Sequence, residues 1–515
     1  MSAAQNKTGV IVAGLLLAIL MASMDNTIVA TAMGTIVGEL GGLDKFVWVT
    51  SAYMVAEMAG MPIFGKLSDM YGRKRFFVFG ILVFMAGSML CGIADSIVEL
   101  SIYRAVQGIG GGALVPIAFT IMLDAVPPEN RGKLGGLFGA VFGMSSIFGP
   151  LLGAYITDYI SWHWIFYINL PLGLIAFVMI AFFYNESHQH SKQPIDWAGA
   201  FLLIGAIVCL MFALELGGKQ FAWTSAPIVG MLAGFAVLTA AFLFVESRAK
   251  EPIISFSMFR SRLYAASNLI GMLSGAAFIT ASVYIPIYIQ GVLGGSATNS
   301  GLVLLPMMLA SVVTATGGGF LMNKLPYRSI LLPTLAILVA GLALLTTLSP
   351  GTSRLVVTLY MILVGLGIGA SFSVLGNSAI HPFPARQRGA ASSTFNFLRS
   401  LGMTLGITVF GIIQSHAMTR NLTGAFTTGG GGEAGAAVPQ GLNFSDPHAL
   451  LDPAARANLP AGVLGQIAEA LSSSISLTFM LALIPAVLAL AAALFMSREQ
   501  LDPAAEAARD ASPSH

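Results

Sequence analysis

The sequence predicts an all-α integral membrane protein that crosses the bilayer fourteen times, and three observations carry that prediction. Hydrophobic residues fill 56% of the 515 positions and charged residues only 9%, whereas soluble proteins carry about 25% charged residues. Apolar runs long enough to cross a hydrocarbon layer of about 30 Å recur along most of the chain. The Lys and Arg residues between those runs collect on one alternating side.

Runs bounded by charges, Gly or Pro place the spans at 9–34, 46–67, 76–95, 99–123, 134–157, 164–184, 195–216, 225–245, 263–290, 299–322, 329–348, 354–378, 389–413 and 471–496. Lys7 precedes the first run, but no small-residue cleavage site follows it, so the run reads as a retained helix and not as a signal peptide. With the N-terminus in the cytoplasm, most basic residues, including Lys66, Arg73, Lys74, Arg75, Arg131, Lys192, Arg248, Arg328, Arg388 and Arg498, share one face. The opposite face holds Lys45, Lys219, Arg354, Arg420 and Arg456. The positive-inside rule therefore predicts that both termini are cytoplasmic.

Composition also excludes several functions. A net charge of +2 without any basic block argues against nucleic-acid binding. Cys91 and Cys209 each lie inside an apolar run and suggest no disulfide framework. His188 and His190 are two ligands on a polar loop, too few for a metal site. No nucleophile–base constellation or phosphate-binding loop is visible; Gly108, Gly110, Gly111 and Gly112 fall within a span, where close helix packing explains them. Neither an enzyme nor a cofactor is expected. The 58 glycines and 25 methionines suit lipid-buried packing and an adaptable binding surface.

Between spans two and three, Gly65-Lys66-Leu67-Ser68-Asp69-Met70-Tyr71-Gly72-Arg73-Lys74-Arg75 forms a tight basic turn containing one carboxylate. Its G-x-x-x-D-x-x-G-R-K-R spacing resembles the signature loop of the major facilitator superfamily. Met24-Asp25-Asn26-Thr27-Ile28-Val29, Arg104-Ala105-Val106-Gln107-Gly108 and Gly149-Pro150-Leu151-Leu152-Gly153 are similar to elements of its fourteen-helix drug:proton antiporter branch. Trp162-His163-Trp164-Ile165-Phe166-Tyr167-Ile168-Asn169-Leu170-Pro171 follows the last of these, and Phe395-Asn396-Phe397-Leu398-Arg399 carries a thinner likeness in the second half. Ser145, Ala154 and His163 depart from the family pattern.

The resemblance implies a six-helix bundle over 1–194, two added helices and a cytoplasmic loop over 195–262, and a second six-helix bundle over 263–496. The second bundle would include a long extracytoplasmic connection, 414–470, with short helices near Asp446 and Asp452; a cytoplasmic tail, 497–515, would follow. It also implies rocking of the bundles about a central cavity, an antiporter role for Gly149, Pro150 and Gly153, and a gating latch made by Gly65, Asp69, Gly72, Arg73 and Arg388. In that latch Asp69 would meet the start of the helix opening at Gly389.

Ionisable residues inside a span cost about 2.5–3.5 kcal/mol each on insertion scales, so Asp25, Glu57, Arg104 and Arg399, with Asp124 and Glu215 nearer the span ends, should face a cavity or a partner. At 1.5 Å per residue, Asp25 and Glu57 lie about 13–16 Å below the outer surface on neighbouring helices. Desolvation favours a protonated carboxyl and a nearby cation an ionised one, so Asp25, Glu57 or both are expected to exchange a proton for substrate, with Arg104 setting the balance. The competing reading is a permanent Asp25–Arg104 pair and a Glu57 that only bonds a neighbouring helix. Met21 shares the face of Asp25; Tyr53 and Met61 share that of Glu57; Tyr284 and Tyr288 lie one turn apart, near Gln290. With Asn396 and Arg399 they form the candidate substrate cavity, although Met and aromatic stripes also arise from packing alone.

The expectation is therefore a monomeric, proton-coupled exporter of small hydrophobic or cationic compounds in the bacterial cytoplasmic membrane, with protons and membrane lipid as its other partners. A dedicated exporter of an endogenous metabolite or peptide-like compound, and a sensor or scaffold that moves nothing, are the alternatives.

Overall fold

A computed structural model describes residues 3–41, 47–126, 131–186, 196–218, 220–249, 251–295, 297–428 and 461–500. Fifteen α-helices follow in order: α1 (Ala3–Leu40), α2 (Val47–Tyr71), α3 (Arg73–Cys91), α4 (Ile97–Ala125), α5 (Arg131–Tyr159), α6 (Trp164–Tyr167), α7 (Asn169–Phe183), α8 (Trp197–Leu216), α9 (Ala226–Glu246), α10 (Arg262–Gly291), α11 (Ala297–Leu321), α12 (Tyr327–Leu345), α13 (Arg354–Ile380), α14 (Arg388–Thr428) and α15 (Ala461–Phe495). Side-chain caps fix several starts. Ser96 accepts from Glu99 N at 3.2 Å ahead of α4, and Asp196 accepts from Gly199 N at 2.9 Å ahead of α8.

The expected span at 164–184 runs as Trp164–Phe183, with Ile168, itself in helical dihedrals, at the join of α6 and α7. Pro171 lacks the amide that would bond the Tyr167 carbonyl, so one rung of the ladder is missing there. Helix α14 runs to Thr428 and α15 begins at Ala461, so the ends of the expected connection 414–470 are helical. Apolar length predicts only the lipid-crossing part of a helix, whereas the backbone ladder continues for as long as its own hydrogen bonds hold. Residues 429–460, which include the short helices expected near Asp446 and Asp452, lie outside the described residues, as do His188 and His190.

The helices pair in a pattern that repeats. Helix α1 packs on α5 and α7, α2 on α4, and α3 on α4; correspondingly α10 packs on α14 and α15, α11 on α13, and α12 on α13. Two bundles of equivalent topology result, the arrangement of an internal repeat. They meet through α2 against α14 and α5 against α11, with α4 and α13 contributing to the same seam. Helices α8 and α9 pair with each other, and α8 leans on α2 and α14 beside the seam. There Met58 and Met61 of α2 join Leu203, Ile207 and Met211 of α8 and Phe397 of α14 in one apolar cluster.

Among the described residues, twelve helices are long and apolar enough to cross a membrane. Helices α2 and α5, also expected as spans, lie in the seam between the bundles. Large apolar side chains face outward around the rest of the molecule, among them Phe182, Phe201, Leu355 and Phe495, as a lipid-facing surface requires.

Candidate functional site

The turn between α2 and α3 is made by Gly72 at φ 113° and ψ 128°, a region that side-chain-bearing residues avoid. It leaves Asp69 at the end of α2 facing the other bundle. Asp69 Oδ1 accepts from Gly389 N at 2.9 Å and Oδ2 from Ala390 N at 2.8 Å, so a carboxylate of the first bundle caps α14 of the second. Arg73 donates to Asp69 Oδ1 at 3.1 Å and to the Ala385 carbonyl, and pairs with Asp124 of α4. Arg388 lies 3.7 Å from the other oxygen of Asp124. Gly65 permits the approach: a Cβ there would collide with the Ser393 side chain and stand 2.8 Å from the Gly389 carbonyl. The structure therefore brings Gly65, Asp69, Gly72, Arg73 and Arg388 together at one end of the seam. The start of α3 is held by Glu186, whose oxygens accept from Arg73 N at 2.7 Å and Lys74 N at 3.4 Å.

Deeper in the first bundle, Asp25 of α1 pairs with Arg104 of α4, and both are fully buried. Asp25 also accepts from Gln107 Nε2 at 2.9 Å and Asn169 Nδ2 at 2.9 Å. Asn169 reaches on to Ser88 Oγ at 3.0 Å, and Arg104 donates to Gln107 Oε1 at 2.6 Å. Four helices, α1, α3, α4 and α7, thus share one hydrogen-bonded cluster, which answers the cost of placing charge at this depth.

Tyr53 of α2 closes the cluster, its ring 4.1 Å from the Arg104 guanidinium carbon. The Tyr53 hydroxyl and Glu57 lie on the same side, toward Asn26 of α1. A Cβ on Gly111 would stand 2.7 Å from that hydroxyl and 3.7 Å from Glu57 Cγ, so the glycine makes room for both. Glu57 is partly exposed, unlike Asp25. Tyr53 therefore stands between the enclosed ion pair and Glu57, one helical turn further along α2.

Helices α1 and α5 lie close because Gly149 and Gly153 face Thr27 and Thr31. A Cβ at either glycine would collide with the facing threonine hydroxyl. Thr27 Oγ1 donates to the Ser145 carbonyl at 3.0 Å, next to the break that Pro150 makes in the α5 ladder.

The remaining cavity candidates separate. The Met21 sulfur points to Gly173 of α7 inside the first bundle, and Met61 joins the cluster facing α8. Tyr288 donates to the Ser349 carbonyl at 2.6 Å, Gln290 to Ser300 Oγ at 3.1 Å, and Tyr284 Oη lies 3.5 Å from where a Gly411 Cβ would stand. Asn396 and Arg399 line a small gap between α4, α5, α13 and α14, together with Val115, Phe119, Phe138, Phe372, Gly376 and Phe395.

Sequence reasoning assigned no role to Gln107, Asn169, Asn26 or Glu186, and expected of Asp124 only a cavity or a partner, which Arg73 and Arg388 supply. Gln107 and Asn169 stood within quoted motifs, and Asn26 beside Asp25. Their signal was a polar side chain at the depth of a charge.

The profile of the Major Facilitator Superfamily matches residues 15–407. The chain belongs to this superfamily. Among related proteins of the Major Facilitator Superfamily, "Multidrug resistance protein 3" of Bacillus subtilis (strain 168) is 52% identical over 510 residues, 99% of each chain. "Multidrug transporter protein MdtP" of the same organism is 39% identical over 411 residues, covering 80% of this chain and 76% of that one. Among solved structures, the human organic anion transporter MFSD10 superposes with a TM-score of 0.58 at 15% identity, covering 94% of this chain and 100% of that one. The proton:xylose symporter XylE gives 0.58 at 13%, covering 93% and 95%. At such identity the structures establish the major facilitator fold alone. The family makes this chain a multi-pass membrane transporter and not an enzyme.

Proposed function

We propose that the protein exports small hydrophobic drugs from the bacterial cytoplasm in exchange for protons, by alternating access. The observation that carries the reading is the placement of acids. Asp25 and Arg104 form a buried pair held entirely by the first bundle, Tyr53 stands between that pair and Glu57, and Asp69 of the same bundle bonds to the second. The high identity to a protein named for multidrug resistance supports the drug-export part.

In this reading the three residues Asp25, Glu57 and Arg104 act as one titrating unit. Glu57 is the member that meets water and substrate, and the Asp25–Arg104 pair sets how readily it gives up a proton. One pH unit then supplies about 1.4 kcal/mol per proton exchanged. Lipophilic cations are the substrate class expected at the Glu57 wall, since an acid that loses its proton attracts them. Asp69 latches the cytoplasmic end closed, and both termini lie in the cytoplasm with it, as the Lys and Arg distribution predicts.

The test is flux in proteoliposomes under separately imposed pH and voltage gradients, with a lipophilic cation, a neutral drug and an anionic drug compared. Uptake against a concentration gradient, driven by ΔpH and lost with Glu57→Gln, is expected. Flux indifferent to both gradients would remove the antiporter, and no flux at all would leave a scaffold.

A further inference from the structure

Two carboxyl groups outside the Asp25, Glu57 and Arg104 cluster face each other where α8 begins and α9 ends. Each has one oxygen satisfied by a backbone amide: Asp196 Oδ1 accepts from Gly199 N at 2.9 Å, and Glu246 Oε1 from Ile254 N at 2.6 Å. The other two oxygens, Asp196 Oδ2 and Glu246 Oε2, are buried and have no hydrogen-bond donor. Both point at Gly199, where a Cβ would stand 2.5 Å from one and 2.7 Å from the other, so this glycine leaves room for the two groups to meet. Glu246 as a whole is only 3% exposed. Among the described residues, Asp196 is the charged group that acts most strongly on it. Arg248, just past α9, lies over the Phe244 ring with its guanidinium carbon 4.1 Å from the centroid. Of the charges on α2, Lys66 is paired with Glu251 at 2.6 Å and Asp69 is bonded to the start of α14.

Two ionised carboxylates repel when they face each other out of water, and one proton between them turns two bare acceptors into a donor and an acceptor. We propose that Asp196 and Glu246 form a second proton-binding site, in which one shared proton ties the start of α8 to the end of α9 and, through Ile254, to the loop that leads into α10. That loop lies against the seam. Ile253 and Ile254 join Met58 and Met61 of α2, Leu203 of α8 and Phe397 of α14 in one apolar cluster, and Glu251 holds Lys66, about one turn before Asp69 on α2. The site therefore sits at the latch end, on the segment that joins the two bundles. A proton taken from water at that end closes the brace and leaves one negative charge on the pair. As pH rises the proton leaves, the two charges repel at low dielectric, and the loop loses its tie to α8 while Lys66 keeps it on α2. The site does not rest on drug export, because neither carboxyl belongs to the unit proposed to exchange protons for substrate.

The test is protection of the Ile254 amide against hydrogen exchange in purified full-length protein in detergent, read from about pH 5 to about pH 9 and corrected for intrinsic exchange. Protection should be flat at low pH and, above one midpoint, fall by about tenfold per pH unit, the slope of a single proton. This wild-type measurement tests the inference even if a variant fails to fold. In Glu246→Gln and Asp196→Asn the amide supplies the donor that the proton supplies in the wild type, so protection should stay high and lose its pH dependence. In Glu246→Ala it should be low throughout. The infrared band of a protonated carboxyl that disappears over the same midpoint should be missing from both amide variants and remain in Glu57→Gln. Wild-type protection indifferent to pH, or a band that survives in Asp196→Asn, would overturn the inference. So would protection that needs Na⁺ or Mg²⁺ and is lost in the amide variants, since a metal ion would then bridge the two oxygens. No substrate or gradient enters the measurement: drug-coupled flux with flat protection removes the brace alone, and pH-dependent protection without flux removes the efflux reading alone.

Discussion

Asp69 and Gly389, 320 positions apart in sequence, share a 2.9 Å hydrogen bond across the seam between the two bundles. With the second bond to Ala390 N, one carboxylate answers two of the unpaired amides at the start of α14. Under the proposed alternating access the bond exists only while that end of the transporter is closed, so Asp69 contributes stability to one conformation and not to the other.

Asp69→Asn should therefore shift the conformational balance. Hydrogen bonds to a charged group contribute about 1.5–3 kcal/mol, so the closed state should lose about tenfold or more in population. Distances between spin labels placed on α2 and α14 read that population. Substrate binding should persist while transport falls, and an unchanged distance distribution would show that the latch does not set the equilibrium.

Removing one partner of the Asp25–Arg104 pair leaves the other charge buried, at a cost of about 3–5 kcal/mol. Asp25→Asn and Arg104→Gln should each lower the thermal unfolding temperature, and the double variant should lie well above the sum of the two losses. Drug-triggered proton release from purified protein should stop in Asp25→Asn. Continued release there would assign the exchangeable proton to Glu57 alone.

Glu57→Gln makes the complementary case. Glu57 is partly exposed, and among the described residues no cation forms an ion pair with it as Arg104 does with Asp25, so its amide should fold with little loss, within about 1 kcal/mol. Proton release and ΔpH-driven flux should nevertheless disappear. Normal release in this variant, measured with a pH-sensitive dye, contradicts its place in the titrating unit.

Gly149→Ala places a methyl group against the Thr27 hydroxyl. Overpacking of this kind costs about 1–3 kcal/mol, and Thr27→Ala should restore part of it by removing the hydroxyl. Thermal unfolding of the two single variants and the double gives the coupling. Additive losses would mean that the two side chains do not meet.

Glu186 caps the helix whose first residue is Arg73. Glu186→Ala should cost about 1 kcal/mol and should speed hydrogen exchange at the Arg73 and Lys74 amides, loosening the latch from behind. Unchanged exchange there would show that another group holds the start of α3.

The sequence by itself determined that this chain lives in lipid. Its apolar runs, its sparse charges and the glycine-flanked turn around Asp69 are local properties, and local properties dictate helices at bilayer length whatever their neighbours. It also singled out Asp25, Glu57 and Arg104, because a charge in hydrocarbon is costly wherever the chain goes. Only the tertiary structure decided which charges meet. Gln107 and Asn169 reach Asp25 from helices 82 and 144 positions away, Glu186 returns over 113 positions to cap α3, and Met21 turns into the bundle while Phe119 and Phe372 line the gap between the bundles. Helical spacing fixes which residues share a face, but which neighbour that face meets depends on the rotation and pairing of helices distant in sequence, and no local pattern encodes these.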